Sequence, residues 1–461
     1  MLFKFENLGP LRCAELELSN LTIICGKNNT GKTYATYTIY GFLNYWWEAY
    51  ELNLEPSLIS DLIERGTISL STMDLLNKAQ SYVDKACEQY NPMIYKILSS
   101  DEDTLGAASL KVILSKDDIK PLDEYDITTG SDKINIFSIH KESSNDKIVI
   151  SLLVDKEKIE IPRRILLRSI SFAVKRIIFQ NTFPVPFILV AERTGIEIFQ
   201  SELDFARNRI IDTLKETKDI KNPIAILNIL SSDYAMPIDR AVDFVRNIEK
   251  RIKHKSYIQN NYPNIIYFLN NIIGGDFRYS RNVIQFIPDA NKRIHLKMNE
   301  SSTSVRSLVD LSLYLKHIAK KGDLLMIDEP ELNLHPENQR KLMQLFALLV
   351  NAGINVYITT HSDYIVKELN NILLLSNLPD ERKNLFYKNY KYSSEQLLSP
   401  QRISIYLAAP QLIKFPEKKR KTRCNTFKRV DFNDYGFIFE SFDETIDEMY
   451  KIQDLLLYGD D

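Results

Sequence analysis

Three short apolar runs along this chain each stop abruptly on a cluster of polar residues. LTIIC, 21–25, breaks into GKNNTGKT; LLMI, 324–327, breaks into DEPELNLHP; and INVYITT, 354–360, ends at His361. Runs of this length read as buried strands, and the residues at which they end are the first candidates for chemistry. Ahead of the first run, FKFENL and AELELSN read as two further strands, and Thr33 onward reads as a helix. Residues 44–180 mix helical pieces such as DLIERGTISLSTMDLLNKAQSYVDKACEQY with strand-like pieces such as KIVISLLV and KIEIPRRI, which describes an insertion. FPVPFILVAERTG, 183–195, returns as a buried strand with charged residues at its end. SELDFARNRIIDTLKETK and AVDFVRNIEKRIKHK carry apolar residues at helical spacing and predict a short helical arm within 200–273. From Gly274 the pattern predicts short strands, FRYS, VIQFIP and RIHLKM, leading into a helix over 304–320.

The first polar cluster carries the most specific signal. Gly26, four residues, Gly31, Lys32 and Thr33 have the spacing of a phosphate-binding loop, and they stand where such a loop must stand, between a strand and a helix. The free N–H groups and dipole of that helix N-terminus favour negative charge, so Gly26, Lys27, Asn28, Asn29, Thr30 and Gly31 would wrap the phosphates of ATP. Lys32 would sit on the β- and γ-phosphates, with the Thr33 hydroxyl a ligand of Mg²⁺. At the end of the second run, Asp328 would hold the metal directly or through water, and Glu329 would polarise an attacking water. At the end of the third, His361 can reach the γ-phosphate, whereas His140, His254, His295 and His317 read as structural.

Composition narrows the partners. A 461-residue chain with 44% hydrophobic and 26% charged residues can bury a core and is long enough for more than one domain. A net charge of −2 offers no global attraction to nucleic acid or a membrane, so such a surface must be a local patch. No stretch reaches the roughly 20 apolar residues that span a bilayer, and no signal-peptide segment opens the chain. Cys13, Cys25, Cys87 and Cys424 lack metal or disulfide spacing, which fits a reducing cytoplasm.

With these residues the chain resembles the ATP-binding-cassette branch of P-loop ATPases and, more narrowly, the soluble heads of SMC and OLD (overcoming lysogenization defect) ATPases. GKNNTGKT, VAERTGI, IDEPELNLHP and TTHS carry the resemblance. It implies an α/β ABC-type head, a mixed sheet with flanking helices, formed by 1–43 and 181–370; an α+β insertion at 44–180; the helical arm at 200–273; and a partner- or oligomer-contact region at 371–461. It also implies a signature serine that touches the ATP of a second head. Ser302, opening the 304–320 helix, matches it; Ser301–Ser304 lacks the family's glycine, and the alternative reading of the same residues is a helix N-cap. No glutamine matches the family's glutamine loop; Glu192 and Arg193 stand at that corner. Asn333 and His335 fall where two heads would be linked across their interface.

The resemblance implies heads that pair on ATP and loosen on hydrolysis. OLD-type nucleases continue into an acidic metal-binding domain, whereas 370–461 offers no strand-terminal glutamate or Asp-x-Asp arrangement, which assigns any cleavage to another chain. Together with SSTSVRSLVDLSLYLKHIAKKGDLLMIDEPELNLHPENQR and the ending SFDETIDEMYKIQD, this is similar to the ATPase subunits of two-component anti-phage systems, PARIS (phage anti-restriction-induced) first and Septu as rival. A PARIS-like chain would form a homo-oligomer of head-to-head dimers, hold a TOPRIM-type effector nuclease, and release it when a phage trigger protein is sensed. A DNA-repair head that clamps duplex ends is the alternative; KFPEKKRKTRCNTFKR, 414–429, is its basic patch, and reads also as a solvated loop.

Overall fold

In a computed structural model, residues 1–55, 57–131, 134–154, 162–199, 234–280, 283–414, 420–433, 436–437 and 448–456 are described. Their centre is a nine-stranded sheet whose order in space is Ser109–Ile113, Leu2–Leu8, Leu11–Glu17, Thr422–Arg429, Ile403–Ile413, Leu21–Gly26, Asn355–Thr360, Leu324–Asp328 and Pro186–Leu189. One half is parallel, from Ile403–Ile413 to Pro186–Leu189. Around Leu2–Leu8 the pairing is antiparallel. This is the mixed sheet with flanking helices expected of an ABC-type head.

The three apolar runs are neighbours in the parallel half, and they are buried because they lie inside the sheet with both faces covered. All three end at the same edge, since parallel strands in register place their C-termini side by side: Ile24 is opposite Thr359, and Thr359 opposite Asp328. The helix Lys32–Glu48 runs back from the first strand. It is buried on more than one face, which explains why its apolar residues are not confined to one stripe. Its C-terminal carbonyls, Trp46 O and Tyr50 O just beyond, accept hydrogen bonds from Lys175 of the Arg163–Phe179 helix, the Tyr50 bond at 2.6 Å.

The sequence boundaries need two corrections. The head does not end at 370: Ile403–Ile413 lies directly beside the Leu21–Gly26 strand, with Ala408 opposite Gly26, and Thr422–Arg429 follows it into the sheet. Within the insertion, Ser109–Ile113 joins the sheet edge beside Leu2–Leu8. The rest of the described insertion forms its own antiparallel sheet of Thr67–Ser71, Lys147–Leu152, Ile134–Lys141 and Tyr125–Ser131 with helices around it. Strand pairing is set by partners distant in sequence, so neither the boundary at 370 nor the edge role of 109–113 follows from local pattern.

Of the expected arm, 200–233 lies outside the described residues. Met236–Arg246 packs on the Lys32–Glu48 helix, and its Phe244 meets Phe187 edge to face at 5.1 Å between centroids. The expected 304–320 helix spans Thr303–His317 and stacks Tyr314 on Phe187 at 4.3 Å. RIHLKM contributes only Leu296–Lys297 to a small sheet. All four cysteines are free. Among the described residues no helix is long and apolar enough to cross a membrane.

Candidate functional site

Between Gly26 and Lys32 the backbone folds into a cup. Gly26, Asn29 and Gly31 have φ of 139°, 61° and 96°, a run of left-handed positions that turns successive N–H groups inward and makes a concavity for an anion. Two of these glycines are also demanded by packing. A Cβ on Gly26 would stand 2.4 Å from Ala408 O, and one on Gly31 would stand 2.5 Å from Leu11 Cγ. The Thr30 hydroxyl ties the loop by donating to Lys27 O at 2.8 Å. Lys27, Asn28 and Asn29 face outward at the mouth.

Lys32 bends back over the cup, where its ammonium donates to Gly26 O and Lys27 O, both at 2.9 Å, and lies 3.5 Å from His361 Nδ1. Burial pushes this amine below the usual lysine range, opposed first by Glu329 and then by Asp328. Thr33 donates its hydroxyl proton to Asp328 Oδ2 at 3.1 Å. The other Asp328 oxygen accepts from the Thr359 hydroxyl. Burial pushes the Asp328 carboxyl up, and these two hydroxyls oppose the shift.

Glu329 stands in the left-handed region at φ 51°, which turns its side chain away from the strand direction and towards His361. His361 Nε2 lies 2.8 Å from Glu329 Oε1. With Lys32 at Nδ1 and a carboxylate at Nε2, the neutral imidazole that satisfies both carries its proton on Nε2 and accepts at Nδ1. That hydrogen bond is the main reason the Glu329 carboxyl falls below its usual range, burial working against it. The folded pKa is therefore below 4.5, so the stability this pair adds is present above that pH and is lost as pH falls through the folded value.

Thr33, Lys32, Asp328, Glu329 and His361 are thus brought together from the ends of three adjacent strands and one helix. Ser302 lies apart from them: it is exposed and N-caps the Thr303–His317 helix, its Oγ accepting from Val305 N at 3.3 Å. Asn333, at φ 62°, and His335, which N-caps Pro336–Asn351 through Nδ1, shape the loop that follows the acids. Glu192 is exposed, with Oε2 accepting from the Tyr37 hydroxyl at 3.4 Å, whereas Arg193 is buried beneath the strand ends.

Sequence reasoning missed two residues at this site. Thr359 holds Asp328; Glu331 accepts from the His361 backbone N–H at 2.6 Å, and burial raises its carboxyl. Their signal was present in YITTHS and DEPE, but a hydroxyl or carboxylate gains such a role only when two strands pair in one register.

The donor set fits magnesium and a polyphosphate. A hydroxyl and a carboxylate, Thr33 and Asp328, stand 3.1 Å apart as hard oxygen ligands beside a cup lined by N–H groups and one ammonium. Such a cup on a strand-to-helix turn, facing two acids at the ends of neighbouring parallel strands, defines a P-loop nucleotide-binding protein. The chain belongs to the AAA ATPase domain family, which matches it over residues 2–366.

Among curated relatives, the Old nuclease of Escherichia phage P2 is 26% identical over 262 residues, covering 46% of this chain and 43% of that protein. The chain therefore spans under half the length of that relative. Among solved structures, the SMC head domain from Thermotoga maritima aligns with 93% of this chain and 98% of its own at 9% identity, TM-score 0.29. An Smc head with an extended coiled coil bound to the C-terminal domain of ScpA, from Pyrococcus furiosus, aligns with 98% of each chain at 11% identity, TM-score 0.31.

Proposed function

We propose that this chain hydrolyses ATP and that it is the ATPase subunit of a two-component anti-phage system, holding a separate effector nuclease in one nucleotide state and releasing it in another. The observation that carries the ATPase reading is the Lys32–His361–Glu329 chain of contacts, which links the residue that would bind phosphate to the residue that would accept a proton. Lys32 and the N-terminus of its helix orient the triphosphate. Thr33 and Asp328 would hold Mg²⁺, whose charge offsets that of the phosphates. Glu329, kept ionised by His361, takes a proton from the attacking water, and His361 keeps the carboxylate aimed. Phosphoryl transfer asks mainly for positioning and charge neutralisation, which these groups can supply.

Two such heads would face one another, with Ser302 of one against the nucleotide of the other. The defence reading is supported by the PARIS-like sequence blocks and by likeness to a phage-encoded nuclease, of which 43% is matched. Differential affinity of the effector for two nucleotide states is sufficient for release. The test is to express the chain with its genomic neighbour under phage challenge. Parent and Glu329→Gln pairs should differ, the parent protecting the culture and the mutant failing; equal protection would remove hydrolysis as the switch.

The reading as a clamp on duplex ends has one observation in its favour: Lys414, Arg420, Lys421 and Arg423 are exposed at the end of the Ile403–Ile413 and Thr422–Arg429 ribbon, which runs past the phosphate loop. Residues 415–419 lie outside the described residues. Affinity for duplex DNA that falls steeply with salt would favour it.

His361→Ala gives a pH test of the site. Without the Nε2 hydrogen bond, the Glu329 pKa rises, and a base that works ionised then protonates at a higher pH. The acid limb of the hydrolysis profile should move to higher pH than in the parent. A profile of unchanged shape would detach His361 from Glu329.

A further inference from the structure

Arg193 makes contacts that the proposed chemistry does not use. Its side chain is 2% exposed and is spent entirely on backbone carbonyls: Nε donates to Ser307 O at 2.9 Å, Nη1 to Val190 O at 2.9 Å and Asp328 O at 3.0 Å, and Nη2 to Glu329 O at 2.9 Å. A buried guanidinium is costly, and burial pushes its pKa down, so its retention in an apolar interior calls for a reason.

Its partners suggest the reason. Val190 follows the Pro186–Leu189 edge strand; Asp328 and Glu329 are the acids of the site; Ser307 lies in the Thr303–His317 helix that Ser302 opens. Glu329 is the non-glycine residue of the site held at positive φ just after its strand, a conformation that persists only where its surroundings over-determine it. Here Thr359 O accepts from Glu329 N at 3.1 Å on one side, and Arg193 donates to Glu329 O on the other.

One helical turn from each end of this contact there is a second. Glu197 stands four residues after Arg193, and Asp310 three after Ser307; both are buried, and the two carboxyls interact. Spacings of four and three put each pair on one helix face, so two short faces meet at two points. Burial raises both carboxyls, Asp310 to about 6, and the Arg193 charge opposes the Asp310 shift.

We propose that Arg193 is a positioning residue for hydrolysis: it fixes the Glu329 carboxylate through its backbone and, with the Glu197–Asp310 contact, makes that position depend on the helix that begins at Ser302. A shift of that helix is transmitted to Glu329 without passing through the nucleotide, so occupancy of Ser302 by a second head would tune the base. The inference rests on the ATPase reading.

The experiment measures ATP affinity and turnover with Mg²⁺ for the full chain as parent, Arg193→Gln, Glu329→Gln and the double variant. Arg193→Gln should keep nucleotide affinity within about threefold and lose about 100-fold in kcat, since an ångström of misplacement costs that much. The double variant should be little slower than Glu329→Gln alone, because the two act as one unit. Arg193→Lys should recover part of the loss, as its ammonium reaches some of the four carbonyls.

Parental kcat in Arg193→Gln overturns the inference, as do losses that multiply in the double variant or affinity falling in step with kcat. If Arg193→Gln does not fold, Arg193→Lys decides alone: lowered kcat at parental affinity supports the inference, and parental kcat overturns it. A parent chain that binds no ATP or hydrolyses none removes the ATPase reading itself; a hydrolysing parent with an indifferent Arg193 removes only the inference.

Discussion

Replacing Lys32 with alanine is expected to lower ATP affinity by about 100-fold or more while leaving the chain folded, because the ammonium that would make charge-assisted hydrogen bonds to phosphate oxygens is lost and the loop backbone is not. The left-handed positions at Gly26, Asn29 and Gly31 are fixed by chain geometry and by packing on Ala408 and Leu11, so the cup survives the substitution. What changes is charge. Lys32 feels the charges of Glu329, Asp328 and Glu331, and without it three carboxylates face an anion site that has lost its buried ammonium. Isothermal titration of the apo protein with ATP checks this, with circular dichroism as the control for folding. Parental affinity in a folded variant would move the nucleotide site away from this loop.

Glu329→Gln is the complementary case: nucleotide affinity stays near the parent value and kcat falls by about 10²–10⁴-fold, the range that loss of a general base produces. Glutamine has the same shape, keeps an oxygen for His361 Nε2 and places the same demand on the backbone at φ 51°, so the site around it need not move. It cannot take a proton from water. If two heads close on ATP, the variant should also accumulate as a larger species on size-exclusion chromatography with ATP and Mg²⁺, since opening would wait for hydrolysis. Turnover equal to the parent's would place the base at another residue.

These expectations were open to different degrees from the sequence. GKNNTGKT was legible because a phosphate cup is made by consecutive residues of one loop, so its spacing is a property of the chain itself. Asp328 and His361 were legible for a related reason: each ends a run that is apolar because it lies inside a parallel sheet, and such strands end where ligands bind. The helix expected over 304–320 and observed as Thr303–His317 was visible in its apolar spacing and in a serine at its start.

Tertiary structure alone decided the rest. Ile403–Ile413 occupies the sheet position beside the phosphate-loop strand from nearly four hundred residues away, and its Ala408 carbonyl is why Gly26 admits no side chain. Thr359 holds Asp328 because two strands pair in one register; Arg193 reaches Glu329 because an edge strand, a central strand and a helix end within one side chain's length. Local spacing specifies what a single segment can do by its own geometry, whereas register between strands and the burial of a charge are fixed only when distant segments compete for the same core.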